Sequence, residues 1–211
     1  MNTFTVGGSI RFGWETFKKR PWFFVGVTVI TSLVSGLMNM VTQSTNDSGL
    51  LVAVGMLVSI AVGTLVGMGL TAVLLKAHDS VDSVTFSDLW HPEPFWSYLA
   101  ASILIGIVVV IGIILLIIPG IILALMLMFT TYVIIDRKRG PIEAMKESRR
   151  ITHGKKWVLL GLVLAAAGIN IIGALLLLIG LLVTIPVTML AMVHAYRQLE
   201  HGVSEVTSAS A

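Results

Sequence analysis

The sequence predicts an all-α integral membrane protein, a six-transmembrane helical bundle with interfacial amphipathic helices and up to three helix-hairpin repeats. Three observations predict it. The chain is 56% hydrophobic and 12% charged, about half the charge of a soluble domain, and its mean hydropathy is +0.95. Two runs, Phe95 to Ile135 and Trp157 to Tyr196, hold 41 and 40 residues with no charge apart from His194. A bilayer core about 30 Å thick is crossed by about 20 helical residues, so each run suits two spans. Finally, all fourteen Lys and Arg fall on one side of the expected topology.

The elements follow in order. In residues 6–20, Ile10, Gly13, Trp14 and Phe17 recur at helical spacing, with Arg11, Glu15, Lys18 and Lys19 opposite and Ser9 as the expected N-cap. Such a basic amphipathic helix lies on a membrane surface, and Pro21 and Trp22 mark the descent. Spans are expected at about 22–41 and 50–75, joined by the polar loop Thr42 to Gly49. The second span carries Gly55, Ser59, Gly63, Gly67 and Thr71, small residues at every fourth position. Such a ridge lets another helix approach closely. Its partner is the first span, through Thr28, Ser32 and Gly36, or a second copy or other membrane protein. Residues 77–94 offer a short apolar face, Phe86, Leu89 and Trp90, before a break at His91-Pro92.

Spans at 95–118 and 120–135 are expected to reverse near Pro119-Gly120, and spans at 157–179 and 183–197 between Gly180 and Pro186. Pro removes a backbone donor and Gly relaxes the chain. Between the pairs, Pro141 suits the first turn of a helix, with Lys146, Glu147, Arg149 and Arg150 toward water. Trp22, Trp96 and Trp157 each open a hairpin, 74 and 61 residues apart, a likeness of architecture and not a clean sequence repeat. One membrane domain, 1–199, and a disordered polar tail, 200–211, complete the expectation. No cleavable signal is expected at the start.

Basic residues in short loops stay cytoplasmic, which predicts a plasma-membrane protein with both termini inside. Ten of the eleven acids lie on that side as well, Asp47 being the exception. This bias explains the net charge of +3 without nucleic acid. The lack of cysteine excludes disulfides, thiolate chemistry and Cys-based metal sites. An ionisable group inside a bilayer marks function by default, and the apolar cores hold no Asp, Glu, Lys or Arg. Asn170 and His194 are the polar groups of most interest there, the first as an inter-helix hydrogen bond. His78, Asp79, Asp82, Asp88, His91 and Glu93 crowd one loop, but without a metal-ligand spacing. No nucleophile elbow, Walker loop or paired carboxylate is present, so neither catalytic residues nor a cofactor or metal are expected.

Three stretches carry a resemblance: Gly13 to Trp22 (GWETFKKRPW), Leu115 to Leu125 (LLIIPGIILAL) and Ile142 to Trp157 (IEAMKESRRITHGKKW). They resemble a broad family of prokaryotic multi-pass proteins that includes the membrane domain of some glycerophosphodiester phosphodiesterases and stand-alone members of uncharacterised function. The resemblance implies a helical bundle in a prokaryotic plasma membrane and a lean toward lipid metabolism. It brings no phosphodiesterase activity, because this sequence lacks the hydrolase domain.

The basic surface is the most functional-looking feature. Lys18, Lys19, Arg20, Arg137, Lys138, Arg139, Arg149, Arg150, Lys155 and Lys156 are expected at headgroup level, where each attracts anionic lipid by about 1 kcal/mol. The expected function is a non-enzymatic scaffold for lipid or protein partners. The alternative is a transporter or channel for a neutral or lipid-like substrate, suggested by the broken helices near Pro119 and Pro186.

Overall fold

The computed structural model describes residues 4–44, 49–91, 93–176 and 179–209. Parts of the expected Thr42 to Gly49 loop, Pro92 and the end of the tail lie outside them. The described residues fold into α1 (Val6–Lys19), α2 (Pro21–Ser44), α3 (Gly49–Asp79), α4 (Phe95–Leu115), α5 (Ile117–Leu127), α6 (Thr130–Arg137), α7 (Pro141–Thr152), α8 (Lys156–Leu175) and α9 (Leu181–Ala209). Two short 3-10 turns, Val81–Ser83 and Phe86–Leu89, link α3 to α4. No strand forms among the described residues.

Among the described residues, five segments are long and apolar enough to cross a membrane: Pro21–Met40, Val52–Asp79, Phe95–Leu115, Ile117–Arg137 and Lys156–Leu175. The sixth expected span falls on α9, which is not among them. The apolar part of α9, 181–196, covers only about 24 Å at 1.5 Å per residue. It still runs back along α8. Gly180 packs on Gly173 at one end, and Arg197 meets Asp79 and Asp136 at the other. The expected disordered tail is helical instead, as α9 continues to Ala209.

The reversals also fall elsewhere than expected. Between α4 and α5 the chain turns at the extended Leu116, and Pro119 lies inside the first turn of α5, where a missing N–H costs nothing. Gly120 serves contact: a Cβ there would lie 2.6 Å from the Ile113 nitrogen. Pro186 sits inside α9. The span expected at 120–135 is two helices, broken at Met128-Phe129. That break has a partner in α7, where the buried Ser148 hydroxyl donates to the Met126 carbonyl at 2.8 Å and accepts the Phe129 N–H at 3.2 Å. Ala144, Ser148 and Thr152, one face at i, i+4 and i+8, are all fully buried. Glu147, expected toward water, is buried with them.

α1 packs along α9 rather than resting on the surface. Its N-cap is Thr5, whose hydroxyl accepts the Gly8 N–H at 3.2 Å. Ser9, the expected cap, is instead buried with Gly13, Thr16 and Phe17, while Trp14 stays half-exposed. A Cβ on Gly13 would lie 3.1 Å from the Ala191 nitrogen. The segment after α3 folds back as well: Phe86 meets the Phe23 ring at 4.8 Å, and the Leu89 backbone lies on Gly69.

The buried core therefore sits at one end. It gathers Phe24, Met68, Val73, Phe129, Ile134, Leu159, Leu190, Val193 and Tyr196, drawn from the second half of α3, the α5–α6 break and α6, the middle of α9 and the first turns of α2 and α8. Toward the other end the apolar side chains are exposed, among them Leu33, Leu37, Leu57, Ile107, Ile114, Ile118, Ile171 and Leu175. Only 11% of the α4 span is buried.

Of the small residues on α3, Gly55 is buried and Ser59 half-buried, but Gly63 is exposed with open space where a Cβ would stand. The close approach comes at Gly67, against Tyr98 of α4, and at Gly69. Replacing Gly120 by Leu forces the α4–α5 backbones apart, at a cost of about 1–3 kcal/mol. Its thermal unfolding midpoint in detergent should fall by roughly 3–10 °C, whereas Gly63→Leu should leave it unchanged.

Candidate functional site

The polar groups gather at the packed end. Arg137, the last residue of α6, donates from Nε to Glu200 of α9 at 2.8 Å and from Nη1 to Glu147 of α7 at 3.1 Å. Arg150 donates to the same Glu147 oxygen at 2.7 Å. Arg197 of α9 reaches Asp136 at 2.9 Å, Asp79 at 2.8 Å and Glu200 at 3.3 Å. The Tyr196 hydroxyl donates to Asp136 at 3.0 Å. Four carboxylates and three guanidinia thus join the ends of α3, α6 and α9 to α7. Such a cluster holds only when every charge keeps its partner.

Beside it lies an aromatic pocket edge. His78 Nε2 and His194 Nδ1 are 3.1 Å apart, His78 Nδ1 is 3.2 Å from Asp79, and Phe12 stacks on His194 at 4.1 Å. Further out, the Arg20 guanidinium is not turned wholly to water. Its Nη1 donates to the carbonyls of Val81 at 3.1 Å and Val84 at 2.6 Å, and its guanidinium lies over Phe23 at 4.8 Å. Lys138 pairs with Glu93 and Lys76 with both Asp88 oxygens at 2.8 and 2.9 Å. The expected one-sided segments are thus tied to one another directly.

Each expected headgroup residue can now be placed. Arg20, Arg137 and Arg150 hold the fold together, and Lys138 has a carboxylate partner. Lys18, Lys19, Arg139, Arg149 and Lys155 are exposed and Lys156 is half-exposed. Among the described residues these six have no carboxylate partner; Lys18 alone has a ring, Trp14, at 5.8 Å. All five tryptophans stand at the same end, and Trp22, Trp96 and Trp157, each the second residue of its helix, are 86%, 78% and 85% exposed. Rings in such positions mark a membrane interface.

The crowded loop of acids and histidines does not converge. Asp79, Asp88 and Glu93 go to separate cations, and no group of three His, Asp or Glu side chains among the described residues is placed to hold a metal ion. Asn170 donates to Thr188 at 3.2 Å, an inter-helix bond as expected.

Arg197 and Glu200 were not among the expected site residues, because the sequence places them where the tail begins. The available signal was Asp79, Asp136 and Arg197 each closing an apolar run.

An all-helical bundle with five membrane-length apolar helices, closed at one end by ion pairs and ringed by tryptophan, fits a multi-pass membrane protein. The comparisons give relatives whose descriptions state no function. A family model described as "Protein of unknown function (DUF975)" matches residues 100–202. The chain is 27% identical to the uncharacterized protein Rv2560 of Mycobacterium tuberculosis, over 94% of this chain and 70% of the relative. It is 26% identical to the uncharacterized protein Mb2590 of Mycobacterium bovis over the same shares. Neither the family description nor these names mention a phosphodiesterase. No solved structure matches the chain.

Replacing Arg137 by Met leaves Glu147 to Arg150 and Glu200 to Arg197 alone and should cost about 1.5–3 kcal/mol, read as a thermal midpoint roughly 3–10 °C lower. Arg139→Met should shift it by no more than about 0.5 kcal/mol. The Lys76 ammonium holds the Asp88 carboxyl below the usual carboxylate range, and the Thr85 amide and hydroxyl assist. That stabilisation is present above the unfolded pKa of about 4 and is lost as pH falls through the lower folded value. Asp88→Asn should therefore cost under about 1 kcal/mol at pH 7, given the partial exposure, and the gap to the unsubstituted protein should close below pH 4.

Proposed function

We propose that this chain is a non-enzymatic, multi-pass scaffold of the plasma membrane, both termini cytoplasmic, that holds anionic lipid or a membrane-protein partner against its basic end. The observation that carries the reading is the division of the cations. Those at the ends of helices are taken up by carboxylates and carbonyls inside the fold. Lys18, Lys19, Arg139, Arg149, Lys155 and Lys156 remain turned outward at the tryptophan-ringed end. Cations at that level meet lipid phosphates, each contributing about 1 kcal/mol. The resemblance to the membrane domain of glycerophosphodiester phosphodiesterases leans the same way, toward lipid chemistry.

A carrier of a neutral or lipid-like substrate is the second reading. It draws on a groove between α2 and α3 lined by Ser35, Asn39, Ser59 and Gly63. The helices around Pro119 and Pro186 that first suggested it do not line that groove, whose lining comes from residues 35–66.

Native mass spectrometry of the detergent-extracted chain should find anionic lipid retained over zwitterionic lipid, and proteoliposomes should pass no solute. Equal retention of both lipids, or flux, rejects the scaffold. The protein contains no cysteine, so single substitutions report sidedness. An impermeant maleimide applied to whole cells should label Asp47→Cys and not Arg139→Cys.

A further inference from the structure

We propose that the elbow between α7 and α8 is a binding site for a phosphate monoester, a dianion carried on a lipid headgroup or free in solution. The proposal rests on the basic-end reading above and deepens it to one cleft and one charge state. Lys146, Arg149, Arg150 and His153 line a single open concavity, and no acidic residue shares its lining. On α7 the spacing of Lys146, Arg149 and Arg150, i, i+3 and i+4, makes neighbours of two like-charged pairs, and like charges at these spacings repel. The helix cannot relieve this by rolling, because Ala144, Glu147, Ser148, Ile151 and Thr152 hold its other face inside the bundle. The nearest buried carboxylate, Glu147, is shared between Arg150 and Arg137 through one oxygen, so it neutralises little of the cleft.

The chain then turns at Gly154, whose φ of +74° suits glycine, and α8 begins. Two of the cations complement the carbonyl end of α7, but Lys146 stands a turn earlier. The start of α8 adds attraction for an anion. Its first turn holds no acid and its N-cap, Lys155, makes no side-chain cap, so no capping side chain competes for the opening N–H groups. Three residues separate His153 from Lys156, at most about 10 Å of chain, and Trp157 sets the depth at the interface. Arginine forks and helix-start N–H groups together suit a phosphate oxygen array. A dianion matches this charge density better than the single charge of a phosphodiester.

The test uses the full chain in nanodiscs of neutral phosphatidylcholine with a trace of fluorescent phosphatidic acid (monoester) or phosphatidylglycerol (diester). The unsubstituted protein should prefer the monoester by about fivefold or more, as expected of one additional contacted charge. Lys146→Gln with Arg149→Gln, both exposed and unpaired, should bring that ratio close to one. Lys18→Gln with Lys19→Gln removes the same charge elsewhere and should weaken both lipids alike, keeping the preference. Displacement by millimolar inorganic phosphate would identify free phosphate as the source, and its failure the lipid headgroup. No preference in the unsubstituted protein, or a preference that survives at the elbow pair, overturns the site. If anionic lipid is still retained over neutral lipid, the scaffold reading stands without it; if no anionic lipid is retained, both fall. Matching thermal midpoints of the two double variants in detergent exclude misfolding as the cause.

Discussion

Arg137 and Arg197 are the two cations on which the bundle closes. Arg137 ends α6 and Arg197 follows the apolar part of α9, and each is gripped by carboxylates from more than one other helix. Lipid tails are as apolar as leucine, so burying leucine against leucine gives helices in a bilayer little reason to choose partners. Choice must come from shape and from polar groups. Here the ion pairs supply it at one end, and the glycine contacts at Gly120 and Gly173 supply it at the turns. Breaking a partly buried pair leaves an unmatched charge, a stronger penalty than forming the pair is a gain. The cluster therefore specifies which helix ends meet more than it adds net stability.

That constraint divides the molecule. Around the ion pairs the helices are packed with large side chains, and α1 and the 81–91 segment fill in beside them. α3, at 31 residues, is longer than the bilayer core needs, so its last turns can stand in the interface and carry polar partners, as α9 does beyond its apolar part 181–196. Away from that end a helix has only to satisfy its own backbone, and the side chains can face lipid. The exposed isoleucines and leucines of α4 and α5 need no further explanation.

Local patterns account for what the sequence revealed. Length and hydropathy placed the apolar hairpins within a few residues, and the charge bias grouped the segments that do come together at one end. The turns were misplaced because Pro and Gly were read only as breakers. Pro119 begins a helix and Pro186 sits within one, while Gly120 and Gly180 act through contact. The α5–α6 break has no breaker residue at all: its cause is Ser148, nineteen residues away. Pairs such as Arg137–Glu200, more than sixty positions apart, leave no periodic trace. The same holds for α1, whose charged face looked like a membrane-surface face until Ser9, Gly13 and Thr16 were found against α9. The small-residue ridge on α3 was visible as spacing, but spacing does not say which members meet a partner.

The division of the cations changes what a count of positive residues means. Topology needs only their number near the helix ends, and by that measure all fourteen are equivalent. The fold separates them. A guanidinium donating to Glu147 and Glu200 is neutralised and largely shielded, so it contributes little field outside the protein. A lysine in open water keeps its attraction for phosphate within about a Debye length. The family match over residues 100–202 takes in Arg137, Glu147, Arg197 and Glu200 together with the elbow residues 146–156, and leaves out α1 with Lys18 and Lys19. The stretch that the family model matches thus contains most of the ion-pair cluster and the elbow cations held in place by it. Whatever the α7 face binds, its geometry is set from within, by Ser148 at the broken helix and by Arg137 on Glu147.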